Sequence, residues 1–351
     1  MSKIFITLIS EQTIPNLQYL KEFGPFDSHY FISTESMEKK GKTKHIIEAS
    51  QIKDLSYEII EVSEESLSDI RYKLEKVNFS NSDQLIVNCT LGTKIMSIAL
   101  FDFFKNSKNA SLYYTPIGTN KYVNILDEDE HQSFRSQISI IEYFACYGIT
   151  ITKTSKCLCE FEQSEFLRKQ FKTFGDIEYG ILEVLRVYRD RKWTNISEVE
   201  YLNSFLRKIQ FKPDNVNKLS KYEVQYLTGG WFEEWVFYKI KNLFSLPDDQ
   251  IGLGIVVNAV AENDLDLVYI HDNNLHVIEC KTSLGKDLQQ ATIYKSGALI
   301  DKFGRSAKSY LYTMQNLRNS DGSLFVPIEL RSRQQNVTIL DKADIENIAI
   351  K

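Results

Sequence analysis

The chain has 351 residues, 43% of them hydrophobic, and carries a formal net charge of −5 with a pI near 5.7. That length argues for two domains rather than one. The acidic balance excludes a protein that coats nucleic acid through a broad basic surface, and no apolar run approaches the roughly 20 residues of a membrane span, so no membrane partner is expected. Five cysteines (Cys89, Cys146, Cys157, Cys159 and Cys280) are scattered without framework spacing. They fit a reducing compartment, and the expected location is cytoplasmic.

The opening run KIFITLI is strand-like and too short for a signal segment. Four pairs of strand-type and helix-type runs follow: KIFITLI with IPNLQYLKEF, HYFIS with TESMEKKGKTKHIIEA, YEIIEV with EESLSDIRYKLEKV, and QLIVN with GTKIMSIALFDFF. Such repetition predicts a mostly parallel, Rossmann-like α/β sheet covered on both faces. SLYYTPI and KYVNIL complete it before the chain turns helical near Ser139. Ligands of these sheets bind at the carboxyl ends of the strands. Two loops there are rich in hydrogen-bonding groups, SEQTIPN after the first strand and NCTLGTKIM after the fourth. The glycine beside the helix start, with hydroxyls and a lysine, suits an anion, although the spacing is not that of a P-loop.

From about Ile141 to Lys218 the pattern is mainly helical, as in QSEFLRKQFKTF and EYGILEVLRVYRD, and reads as a connector over 143–218. A second α/β unit follows over 219–351. EVQYLTGGWFEEWVFYKIKNLF predicts a long amphipathic helix entered after Gly229 and Gly230, GIVVNAV, LDLVYI and LHVIECK predict strands, and KDLQQATIYKSGALIDKF predicts a helix before SYLYTM and NVTILD. From Lys281 to Arg318 the bases Lys281, Lys286, Lys295, Lys302, Arg305, Lys308 and Arg318 face only Asp287 and Asp301. That bias is enough for a phosphate-facing surface.

LDLVYIHDNNLHVIECK places charge at the ends of an apolar hairpin. Alternation puts Glu279 and Lys281 on one face with Val277, and Asp264, Asp266 and Val268 on one face of the preceding strand. A two-residue turn at Asp272 and Asn273 would set Asp266 opposite Glu279. Like charges so placed destabilise a sheet. A hard divalent cation, Mn2+ or Mg2+, offsets this by taking oxygens from Asp266, Glu279 and the backbone carbonyl of Cys280. Lys281 can orient water and stabilise charge on a phosphate, so the composition implies phosphodiester hydrolysis.

Asp266 followed by Glu279-Cys280-Lys281 resembles the core of the PD-(D/E)XK nucleases, a restriction-endonuclease-like α/β fold. In that pattern an upstream helix often adds an acid, here Glu233 with Glu234 as the alternate; an assisting role for Asp264 stays open. In order, LISEQTIPNLQYL, ISTESM, NCTLGTKIM and YGITI ahead of this half resemble the CRISPR-associated CARF-domain nucleases, a Rossmann-like sensor (1–142) fused to a nuclease. The sequence departs at Leu91, where the family usually places a second glycine. The resemblance implies a cyclic oligoadenylate activator, most often cyclic tetra-adenylate, bound across a homodimer axis by Ser10, Glu11, Gln12, Thr34, Thr90, Gly92, Thr93 and Lys94. It also implies metal-dependent cleavage of DNA or RNA, favouring single strands, in type III CRISPR antiviral defence. A sensor that holds nucleic acid without cutting it, or one that also degrades its activator, is the alternative.

Overall fold

The computed structural model describes residues 1–258, 262–283 and 286–350. The first sheet is built from β1 (Lys3–Leu8), β2 (Ser28–Ser33), β3 (Tyr57–Glu61), β4 (Gln84–Asn88), β5 (Ala110–Tyr114), β6 (Lys121–Asn124) and β7 (Asp127–Ser133), in the order β3-β2-β1-β4-β5-β6-β7. The first five strands pair in parallel and the last two antiparallel. β1 is buried from Ile4 to Leu8, as a central strand covered on both faces must be. Strand order reverses between β1 and β4, so the loops that leave them open into one crevice. This is the predicted Rossmann-like sheet, with β7 added.

The second sheet comprises β8 (Thr150–Ser155), β11 (Ile251–Asn258), β12 (Glu262–His271), β13 (Asn274–Lys281), β14 (Lys308–Thr313) and β15 (Val337–Leu340), in the order β15-β14-β13-β12-β11-β8. A small ribbon of β9 (Trp193–Asn195) and β10 (Lys218–Ser220) lies between. β8 falls in a stretch whose pattern read as mainly helical. Its sequence TITKTS is rich in β-branched residues but polar and exposed along most of its length, so no apolar period of two marks it. It is an edge strand carrying Lys153, paired antiparallel to β11.

The rest of that stretch is helical and lies on the second sheet. Leu167, Leu182, Leu202, Phe205, Trp231 and Trp235 form one core with Leu267, Ile278 and Tyr312 on one face of the sheet. Trp235 donates from its indole to Glu165 at 2.6 Å, while Arg168 grips the same carboxylate at 2.8 and 2.9 Å and lies over the indole. Burial works against the charge on Glu165, but Arg168 and the indole outweigh it and hold the carboxyl at about 2. The opposite face packs on the helix Ile140–Cys146 and on Phe303.

Hydrogen bonds sew the halves together at several points. Thr13 donates to the Cys146 carbonyl at 2.7 Å and Tyr143 to that of Phe303 at 3.0 Å. Asn273, at the tip of the β12–β13 hairpin, uses its whole amide on the first half. It accepts from the Ile138 amide at 2.8 Å and donates to Asn120 at 2.8 Å and to the Ser136 carbonyl at 3.0 Å.

Candidate functional site

Asp272 and Asn273 both have φ near +50°, the two left-handed residues of a type I′ turn. The ladder then runs from His271↔Asn274 to Leu267↔Ile278, the register predicted from a two-residue turn. Beyond Leu267 the strands part. Instead of continuing the ladder, Asp266 accepts the Cys280 backbone N–H at 2.8 Å. Lys281 sits in the fork, its ammonium 3.0 Å from Asp266 and 2.7 Å from Glu279. Both carboxylates are thus within reach of one cation.

Strict alternation fails at this point. Leu265 packs in the cluster of Val268 and Ile270, whereas Leu267 and Tyr269 pack in the other, so Asp264, Asp266 and Val268 do not line one regular face. On the neighbouring strand β11, whose register against β8 shifts between Leu253 and Val256, Gly254 has φ +53°. A Cβ there would come within 2.5 Å of the Ser155 hydroxyl, so β8 approaches closely only because the residue is glycine.

The helix expected after Gly229 and Gly230 runs over Trp231–Leu243, and the chain kinks at Gly229 where the short helix Lys221–Gln225 leads into it. Glu233, on its first turn, borders the same groove as Asp266 and Lys281. Burial, then the charges of Asp266 and Glu279, push its carboxyl up to about 8 despite Lys281 and Arg189 nearby. Glu279 is raised by burial and by Asp266, and Asp264 by the same two causes. Burial works against the Lys281 ammonium, but Asp266 and Glu279 outweigh it and hold its pKa above the usual lysine value.

Glu234, the alternate acid, is 4% exposed and engaged elsewhere. It accepts the backbone amides of Leu158 and Cys159 at 2.6 and 3.1 Å, and burial lifts its carboxyl to about 7. The Cys280 side chain is buried in the core beneath the sheet. The five cysteines are free thiols.

A groove of about 710 Å³ opens beside the fork. Its walls include Glu233, Asp264, Asp266 and Lys281, together with Lys153, Lys156, Arg189, Tyr222 and Gln225, which the sequence did not single out. Lys153 was hidden because the strand that carries it was, and Lys156 directly follows that strand. Of the basic run, Lys295 reaches the acids electrostatically, Arg318 ties down Asp341 and Asp344, and the side chains of Lys286, Asp287 and Asp301 lie outside the described residues. Among the described residues no three His, Cys, Asp or Glu side chains already stand close enough to hold a metal. No described helix is long and apolar enough to cross a membrane.

The first sheet has its own cavity, about 290 Å³, at the crevice between β1 and β4. Ser10, Glu11, Gln12, Thr90 and Gly92 line it as the loop chemistry suggested. Thr34, Thr93 and Lys94 do not border it within one chain. Thr34 caps the helix Glu35–Lys39; Thr93 caps Lys94–Phe104 and donates to the Glu64 carbonyl at 2.9 Å; Lys94 is exposed. Thr115 to Thr119, Tyr147, Asn273, Asn274, Arg305 and Ser306 complete the wall. The turn Pro116-Ile117-Gly118, which follows β5, is a third loop at the same sheet edge; the strand run SLYYTPI takes in Pro116 and Ile117, but β5 ends at Tyr114. Asn273 and Arg305 carried no sequence signal for this cavity.

A Rossmann-like sheet with a polar crevice, joined to a mixed sheet with a fork of acids around a lysine, defines a sensor–nuclease class of protein. Family models agree. Residues 4–143 match the Card1 CARF domain and residues 220–350 the Card1-like endonuclease domain, so the chain belongs to the Card1-like CARF nucleases. No curated protein sequence matches it significantly.

Three solved structures share the fold. Can2 from Sulfobacillus thermosulfidooxidans, in complex with cyclic tetra-adenylate, aligns with TM-score 0.76 at 20% identity, covering 99% of this chain and 98% of that one. Protein VC1899 from Vibrio cholerae aligns with TM-score 0.79 at 16% identity, covering 99% and 96%. A type III CRISPR defence DNA nuclease activated by cyclic oligoadenylate aligns with TM-score 0.59 at 14% identity, covering 95% of this chain but 51% of its own length.

Proposed function

We propose that the chain is a cyclic-oligoadenylate-activated, metal-dependent endonuclease of the PD-(D/E)XK type, acting on DNA or RNA in type III CRISPR antiviral defence. The observation that carries the catalytic reading is the fork itself. Asp266 and Glu279 share one ammonium, and Glu233, raised first by burial and then by the charges of those acids, borders the same groove. The donor set is all oxygen. Asp266 and Glu279 with the Cys280 carbonyl fit a hard cation such as Mn2+ or Mg2+, which commonly takes one or two carboxylates and fills its remaining positions from water and phosphate oxygens. Bound there, such an ion would supply Lewis-acid polarisation of the scissile phosphodiester.

Lys281, held between the two acids, would orient the attacking water and stabilise charge on the phosphate. Glu233, neutral near pH 7 in this surrounding, can give or take a proton at the rim of the groove. Lys153, Lys156 and Arg189 face the same groove and would neutralise the substrate backbone.

The sensor assignment rests on the CARF match and on the polar crevice, and the Can2 structure holds cyclic tetra-adenylate in the corresponding fold. A cyclic ring of like phosphates is matched by one set of loops presented twice, so the active form is a homodimer about a two-fold axis. Thr34, Thr93 and Lys94 would complete the contacts there, and residues 1–142 act as the sensor. For the ring to activate, it must bind better to the arrangement competent for cleavage. The test is incubation with labelled single- and double-stranded DNA and RNA, Mn2+ or Mg2+, and a panel of cyclic oligoadenylates. Cutting is expected only with ring and metal together; equal cutting without the ring removes the regulated reading, and none under any condition removes the enzyme.

A further inference from the structure

The crevice of the first sheet is short of positive charge for a ligand that carries a phosphate on every unit. Among its described lining residues one side chain is cationic, Arg305, and it belongs to the nuclease half. Glu11, the lone acid there, is already matched by Lys40 and by Lys42 at 3.2 Å. Lys94 does not border the cavity. A polyanion in this pocket therefore meets the one cation that lines it, among the described residues, across the domain boundary.

Arg305 is held where it can act. Its backbone N–H donates to the side-chain carbonyl of Gln12 at 2.9 Å, and Tyr147 donates to the same oxygen at 3.4 Å. Gly304 permits the approach. It has φ +96°, and a Cβ there would fall 2.0 Å from the Tyr147 hydroxyl. Tyr143 fixes the preceding carbonyl of Phe303. The main chain is thus anchored from both sides while the Arg305 side chain is exposed, and no described carboxylate pairs with it.

Resting on the proposed function, we infer that Arg305 is a phosphate-binding residue of the activator site, so that the ring is gripped by the sensor and by the nuclease half at once. The hairpin tip shares that wall. Asn273 and Asn274 border the same cavity, and Asn274 donates to the Gly118 carbonyl at 3.4 Å. Glu279 lies six residues from Asn273 along β13, roughly 20 Å at the rise of a strand. A ligand that changes the seating of the tip therefore acts on the rigid element that ends in the acidic fork. Differential contact with the two halves is what allows a ligand to shift their equilibrium.

The experiment is calorimetric titration of full-length wild type, Arg305→Ala, Arg305→Lys and Lys302→Ala with cyclic tetra-adenylate at low and physiological salt. Loss of one charged hydrogen bond should weaken Arg305→Ala about tenfold or more, with a shallower salt dependence. Arg305→Lys should fall between, and Lys302→Ala, exposed on the same segment but outside the cavity, should match wild type. An unchanged Kd for Arg305→Ala, or an equal loss in Lys302→Ala, overturns the inference while leaving the activator reading intact. A wild-type chain that binds no cyclic oligoadenylate overturns both.

Discussion

The acidic fork and the sensor crevice solve opposite problems. The fork concentrates like charges on the ends of rigid strands, where an ammonium holds them together and burial raises Glu233 and Glu279. The crevice is lined mostly by neutral hydroxyls, amides and glycine on loops, and its cation comes from the other half of the molecule. A catalytic site needs its electrostatic tension built in before substrate arrives, because preorganised groups need no reorganisation during reaction. A sensor site gains more from being incomplete in either half alone, since only then does the ligand favour one arrangement of the two.

The largest expected effect lies in the fork. Glu279→Ala or Lys281→Ala should lower cleavage about a thousandfold or more while leaving ring affinity at the wild-type value, measured by gel assay and calorimetry. A parallel loss of ring binding would break the division between the two sites. Chelation of divalent ions should abolish cutting in the same way.

Next comes the contrast between neighbours. Glu233→Gln should reduce cleavage about 100-fold with thermal stability at pH 8 unchanged or increased, because it removes a buried charge set among other acids. Glu234→Gln should do the reverse. It weakens the anchoring of the Leu158 and Cys159 amides and should cost about 1–3 kcal/mol of stability, read from denaturant melts, with a smaller effect on chemistry.

pH sharpens the same comparison. Glu233 and Glu234 have folded pKa values of about 8 and 7, above the ordinary 4.5. For a carboxyl raised in this way, the folded state holds more protons than the unfolded state across the window between the two values. Its contribution to stability is complete below pH 4.5 and is lost as pH rises through 7 to 8. The metal-free melting temperature should therefore decline between pH 5 and 8, and a divalent ion should restore most of the decline. A metal-free melting temperature that rises over that range would contradict these assignments.

The smallest effect belongs to the hairpin tip. Asn273→Ala removes three hydrogen bonds to the sensor half and should cost about 1–3 kcal/mol. The ring concentration needed for half-maximal cleavage should rise, while the maximal rate at saturating ring changes less.

The sequence by itself determined the parallel sensor sheet, because four apolar strand runs each followed by a helical period admit few other folds. It also determined the hairpin, because Asp272 and Asn273 dictate a two-residue turn and that turn fixes which residues face each other. Local register carried Asp266, Glu279 and Lys281 to the end of the ladder, where the Cys280 N–H bond to Asp266 closed the fork. Tertiary structure decided the rest. It set Glu233 rather than Glu234 beside the fork, and recruited a polar edge strand at Thr150–Ser155 that no apolar period announced. It also closed the sensor crevice with Asn273 and Arg305, more than 250 residues along the chain from Ser10. Periodicity reports only what a segment does with its own neighbours; which distant loops share a cavity depends on how two sheets dock, and no local pattern encodes that.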